Sequence, residues 1–286
     1  MSILTAIFQA VFQAITFIFP ISENGHYSLF HNFAGITDAT PAAITGVIHI
    51  GIAIGIIIAM YKLFLSLFNE FFFTFQDIFK KRLKSSPPKA ARKFMYYTLL
   101  SFAPMILWLI PFGSRGFLFD FLRSSAYNGN LLDDGLFFLA TGILVVLCAK
   151  QLKLSRNNKN INLIFALIAG FASIILVPVA GLSFIGGVFC ILMLLGVSKK
   201  VSFRYSFVLS VPVLVVMGIL EICASSEPAG IVSIIIGIIL SAAVSFVCVR
   251  FFKWVINNDK LKFFGYYDFG IGVIAAVIGI FQLILN

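Results

Sequence analysis

Long apolar runs alternate along this chain with short clusters of charge. Residues 3–19 are apolar for about one helix length and stop at Pro20. A polar knot follows at once, Ser22-Glu23-Asn24-Gly25-His26, then Tyr27 and Ser28 and a wetter segment to Phe33. Residues 42–61 are apolar again, with His49 inside the run, and an aromatic-rich stretch covers 64–79. Further apolar runs cover 94–112, 135–149, 161–177, 184–197, 205–223 and 231–249, and a last one ends near Leu285. The runs are of helix length, with no ten-residue alternation of the kind barrel strands show. The pattern therefore predicts a bundle of membrane-crossing α-helices.

Composition agrees. Only 11% of the 286 residues are charged and 60% are hydrophobic, against roughly 25% charged in soluble domains. The 34 phenylalanines suit a lipid-facing surface. One membrane domain over residues 1–286 is expected. Cys148, Cys190, Cys223 and Cys248 sit in apolar runs without CxxC spacing, which predicts buried, unreactive thiols. No Lys or Arg precedes Lys62, so the start is not read as a standard signal peptide.

Charge placement then sets a topology. Basic loops fall at 80–93, 150–160, 199–204 and 250–262, and mixed or acidic ones at 113–134 and 221–230. The basic loops should be cytoplasmic, which accounts for the net charge of +10 without nucleic acid as a partner. Residues 161–197 must then enter and leave on one side, as two half-length helices meeting at 178–183. The same logic makes residues 3–33 a hairpin entering from outside. The expected fold is an all-α integral membrane protein with about six transmembrane helices and two re-entrant helical hairpins. These form an inverted-topology repeat, about 1–150 and 151–286, which places a ligand site at mid-depth where broken helices meet. A bundle in which every segment spans agrees less well with the charges.

Both breaks carry Pro, Gly and Ser. Helix N-termini exposed there would offer N–H groups and a positive dipole end to a phosphate or carboxylate. Gly25 and Gly181 would let backbone approach a ligand, and Ser22, Asn24, Ser28 and Ser183 supply neutral hydrogen bonds. Glu23 and His26 stand three apart, on one face if that segment is helical; the plainer reading has them capping a helix at the outer interface. His49 reads either as a packed core group or as a ligand-binding residue. Ionisable groups at membrane depth are functional candidates by default. No P-loop, zinc-ligand spacing or GxSxG elbow appears.

These residues resemble the undecaprenyl-diphosphate phosphatase family, whose first motif runs roughly E-G-x-T-E-F-L-P-V-S-S-T-G-H. The matching stretch here runs from Gln13 to His26, with Thr16, Pro20, Ser22, Gly25 and His26 in register. The His49 segment and residues 196–212 are similar to two further family segments, so the likeness spans nearly the whole chain. The departures fall on charge. Both motif glutamates are replaced, by Gln13 and Phe17. The second motif's arginine becomes Phe184 and its second serine Ile185, and a tyrosine–arginine pair near the C-terminus becomes Tyr267-Asp268.

The resemblance implies a polyprenyl phosphate or diphosphate lipid as partner, a homodimer as one form of assembly, and the bacterial plasma membrane as location. It implies His26, Ser22 and Glu23 as catalytic residues and Asn24, Gly25, Ser28, Gly181, Ser183 and His49 as substrate-binding. A divalent cation, Mg²⁺ or Ca²⁺, would accompany the family activity, with Glu23 its only plausible acidic ligand. Each lost charge donor typically raises a hydrolytic barrier by about 3–4 kcal/mol. Two expectations therefore stand side by side: a phosphatase in which Glu23 substitutes for the lost acids, and a non-hydrolytic relative that binds or moves polyprenyl phosphate lipids.

Overall fold

The computed structural model describes residues 3–34, 42–82, 89–113, 116–124, 129–154, 157–225 and 229–285. Parts of the predicted loops, including Arg115, Arg156 and Glu227, lie outside them. The described residues are helical and form no sheet. In chain order the helices are α1 (Ile3–Ile18), α2 (Glu23–Ala34), α3 (Ala42–Ala59), α4 (Tyr61–Phe79), α5 (Ala90–Phe102), α6 (Leu118–Arg123) and α7 (Leu131–Leu154). Then follow α8 (Leu163–Leu176), α9 (Phe184–Leu194), α10 (Lys199–Ala224), α11 (Ile231–Asn257) and α12 (Lys262–Leu285).

Four of these, α7, α10, α11 and α12, are long and apolar enough to cross a membrane, and α3 with α4 makes a fifth if the bent pair counts as one. The sixth expected span is α5 continued by a 3-10 segment, Ala103–Leu109, where Pro104 occupies the first turn. Proline removes an N–H and crowds the preceding turn, so the helix tightens there. The aromatic stretch becomes a helix of its own, because the chain turns by 95° between α3 and α4. Arg92 clamps α4 to α5, donating to Glu70 at 2.9 Å and to Asp77 at 2.7 Å.

Small residues let the long helices touch. A Cβ on Gly135 of α7 would lie 2.3 Å from the Ala276 nitrogen of α12, and one on Gly272 would lie 2.9 Å from the Gly135 oxygen. On the other side of the bundle, a Cβ on Gly46 of α3 would lie 2.5 Å from the Gly218 oxygen of α10. In lipid, where burying apolar surface gains nothing, such close backbone contact is a main source of helix association.

Two helices break at Pro20 and at Pro178, as the prolines predict, and resume at α2 and α9. The resumed helices begin with side-chain caps: the Ser22 Oγ accepts from the Gly25 nitrogen at 3.1 Å, and the Ser183 Oγ from the Gly186 nitrogen at 3.3 Å. Three boundaries differ from expectation. Glu221 belongs to α10, Asp134 to the first turn of α7, and Arg250 and Lys253 to α11. One of the four thiols, Cys223, is exposed, because it lies on the outward face of α10 near its end.

Candidate functional site

The two breaks cross one another. A Cβ on Gly25 would lie 2.6 Å from the Gly181 nitrogen, and one on Gly186 would lie 2.6 Å from the Pro20 Cα. Asn24 Nδ2 donates to the carbonyls of Val177 (2.8 Å) and Pro178 (3.3 Å), and Ser183 Oγ reaches the Phe19 carbonyl at 3.4 Å. Gly181, at φ 85°, turns its carbonyl toward Thr141 Oγ1, which donates at 2.7 Å. Backbone that cannot be helical thus finds its partners inside protein, as it must at membrane depth.

Ser22 opens α2 with φ 60°, in the left-handed region that costs a non-glycine residue roughly 1–2 kcal/mol. The strained turn aims the first helical turn into the crossing. His26 is buried, and its Nδ1 lies 2.8 Å from the Ser22 carbonyl oxygen. A carbonyl only accepts, so Nδ1 carries a proton, and in the neutral imidazole Nε2 holds a lone pair. That lone pair faces the Tyr267 hydroxyl at 2.7 Å, with the tyrosine ring stacked on the imidazole. Phe138 closes the ring edge-on. The resulting group is an imidazole with both nitrogens fixed in direction.

Glu23 does not join His26. Its carboxylate accepts from His49 Nε2 at 3.1 Å, while His49 Nδ1 donates to Glu221 Oε2 at 2.6 Å. Arg123, at the end of α6, donates to the other Glu221 oxygen at 3.1 Å. Carboxylates only accept, so a doubly protonated His49 satisfies both neighbours. The four groups come from α2, α3, α10 and α6 and sum to no net charge. His49 is 2% exposed and Glu221 7%; an ionic chain this deep holds together because each charge has a partner.

Two positions at which the resemblance predicts a charge meet in space. Phe17 and Phe184, which stand where the resemblance predicts a glutamate and an arginine, pack ring on ring at 6.3 Å and 71°. Phe17 also lies 6.3 Å from the His49 ring. An apolar pair therefore occupies the place of two opposite charges, and the Glu23–His49–Glu221–Arg123 chain runs beside it. Gln13, in place of the other glutamate, donates to Gln9 at 3.0 Å.

Ser28 points away from this chain, donating a short hydrogen bond to Asp134 of α7. Asp268, in place of an arginine, is fully buried, and neither of its oxygens has a hydrogen-bond partner among the described residues. Glu221, Arg123 and Asp134 escaped the sequence reading, which took them as loop charges. A signal existed for Glu221: with Ser206, Ser210, Leu214 and Met217 it repeats every three or four residues, the face that α10 buries.

A divalent cation does not fit the donor set. Among the described residues no group of three His, Cys, Asp or Glu side chains is arranged to hold a metal ion, and the Glu23 oxygens face His49 at 3.1 and 3.4 Å. Mg²⁺ and Ca²⁺ take several oxygen ligands and pair with carboxylates rather than with an imidazolium N–H.

Against known proteins, residues 6–274 match the family described as bacitracin resistance protein BacA. The relatives include an undecaprenyl-diphosphatase of Halothermothrix orenii, 27% identical over 98% of this chain and 100% of its own length. One from Methanosphaera stadtmanae is 26% identical over 98% of this chain and 99% of its own. One from Methanococcus maripaludis is 29% identical over 91% and 93%. With a family match over nearly its whole length and a multi-pass helical fold, the chain belongs to the BacA family of undecaprenyl-diphosphatases.

Proposed function

We propose that this protein is a cell-membrane phosphatase that removes the terminal phosphate of a polyprenyl diphosphate carrier lipid at the crossing of the two breaks. The observation that carries the reading is His26, a buried imidazole whose Nδ1 is tied to the Ser22 carbonyl and whose Nε2, hydrogen-bonded to Tyr267 at rest, takes a proton once that hydroxyl moves aside. The lipid diphosphate brings its headgroup to the first turns of α2 and α9. There N–H groups without intrahelical partners and two positive dipole ends receive the phosphate oxygens.

A water oxygen attacks the terminal phosphorus as its proton passes to His26 Nε2, and the phosphoanhydride P–O bond breaks. The bridging oxygen leaves on the lipid, giving inorganic phosphate and polyprenyl monophosphate. Tyr267, hydrogen-bonded to Nε2 at rest, moves aside to orient the water or a phosphate oxygen. Glu23, held by His49, sits at the head of α2 and keeps that turn in place. In this reading the two halves of the chain, 1–150 and 151–286, are inverted repeats that each supply one break.

A second reading has its own support. The Phe17–Phe184 pair removes two charges from the crossing, which suits binding or transport of a lipid phosphate without hydrolysis. One assay separates the readings. Purified protein is given a polyprenyl diphosphate, and phosphate release is followed for wild type and His26→Ala. Release that His26→Ala abolishes supports the phosphatase. Saturable lipid binding without release selects the binder.

A further inference from the structure

The end of the bundle farthest from Glu221 holds a second concentration of charge. Where α3 bends into α4, α10 begins and α11 ends, a cleft of about 660 Å³ opens. Lys62, Lys199, Lys200, Arg204, Arg250 and Lys253 line it, and no acidic residue does. None of the six forms an ion pair among the described residues. Lys200 and Glu221 are 21 residues apart on α10, about 30 Å at the rise of an α-helix. The cleft is therefore separate from the ionic chain at His49, and it is divided from the first break by a layer of rings, Phe19 packing on Phe251 and Phe252 at 5.8 and 6.2 Å.

The positive-inside rule explains cations at this end. It does not explain their convergence from three places on one concavity, which like-charge repulsion opposes. A second observation says what would settle there. The cleft shares Tyr61 with a groove of about 610 Å³ between α4, α5 and α10. Phe68, Met95, Val208 and Pro212 are among its walls, and Thr98 and Tyr61 bring its only polar side-chain atoms. An anion-binding cleft running into an apolar groove is complementary to an amphiphile with an anionic head and a hydrocarbon tail.

We propose that this end binds a lipid phosphate, with a phosphomonoester head among Lys199, Lys200, Arg204 and Arg250 and its tail along the groove beside α4. The proposal is independent of hydrolysis at His26. A dianionic head answers several uncompensated cations at once, whereas a zwitterionic head does not. The floor of the cleft, at Met60, Phe203 and Val249, receives the first carbons of the tail.

The test is photo-capture by the full-length protein in phosphatidylcholine nanodiscs doped with a phosphatidic acid carrying a photoreactive acyl chain. Adducts are expected on residues 61–71 and 95–99. Either pair of changes, Lys199→Gln with Lys200→Gln or Arg204→Gln with Arg250→Gln, should lower capture by roughly tenfold or more. Lys150→Gln with Lys153→Gln, which removes equal charge outside the cleft, should leave capture within about twofold. Two independent pairs keep the test decisive if one variant does not fold. Capture that survives both pairs, or that falls equally in the Lys150 and Lys153 control, overturns the proposal. So does displacement of the photolipid by excess inorganic phosphate as complete as by unlabelled phosphatidic acid, which would assign the cleft to the free anion. Because the readout is an adduct, failure of the phosphatase reading would leave this result standing.

Discussion

Compare the two first turns that meet at the crossing. α2 opens with Glu23-Asn24-Gly25-His26, and α9 opens with Phe184-Ile185-Gly186-Gly187. Both follow a proline break, both are capped by a serine, and each presses a glycine against the other's backbone. Yet one turn offers an acid, an amide and an imidazole, while the other offers rings, branched carbon and bare backbone. Position depends on both breaks, whereas the polar side chains, and with them the chemistry proposed above, sit on the first alone. Mutations should therefore divide into those that disturb the crossing from either side and those that matter only on the α2 side.

The largest effect is expected where the α2 side is tied to the bundle. Glu221→Ala takes from the buried His49 and the partly exposed Arg123 the carboxylate they share, which should cost about 3 kcal/mol. It would appear as a lower thermal midpoint in detergent. His26→Ala should lower phosphate release by roughly 10²–10⁴-fold while the midpoint stays close to wild type. Gly181→Ala attacks the crossing from the second break. Its Cβ would lie 2.6 Å from the Asp134 carbonyl oxygen at a residue with φ 85°, and a loss of about 1–3 kcal/mol in stability is expected.

Ser183→Ala removes one helix cap and should cost about 1 kcal/mol in stability, with phosphate release falling no more than a few-fold. If Ser183→Ala instead matches His26→Ala in activity with its fold intact, the chemical asymmetry between the breaks is wrong. The smallest expected response is to metal. Calcium titration of the substrate-free protein should show no saturable site tighter than about 1 mM, and a tighter one would mean that Glu23 leaves His49 to bind the ion.

The breaks were legible because proline, glycine and serine interrupt apolar runs at Pro20 and Pro178, and the charge rule required a return at the second. The 95° turn between α3 and α4 left no such mark. Met60 stands at it with neither Pro nor Gly beside it, and the turn is made by the packing of α4 against α5, with Arg92 as the clamp. The ionic chain at His49 was hidden for another reason. It joins residues 172 apart in sequence, and Glu221 reads locally as an ordinary charge at the end of an apolar run. The Glu23–His26 spacing pointed to one face of one helix, and so it does. What spacing could not supply were the partners, Tyr267 for one and His49 for the other.

The contact between Phe17 and Phe184 has a consequence for the substitutions the chain can take. Restoring an acid at Phe17 alone would bury a carboxylate against a phenylalanine ring, and restoring an arginine at Phe184 alone would bury a guanidinium the same way. An acid at Phe17 would be a third carboxylate around His49, whose ring lies 6.3 Å away, and a guanidinium at Phe184 would face a ring, so either single step leaves unbalanced buried charge and costs several kcal/mol. Only the double change pairs them again. The aromatic pair therefore acts as a lock: each ring opposes a charged substitution at the other, so a charge pair could enter this contact only by a double change.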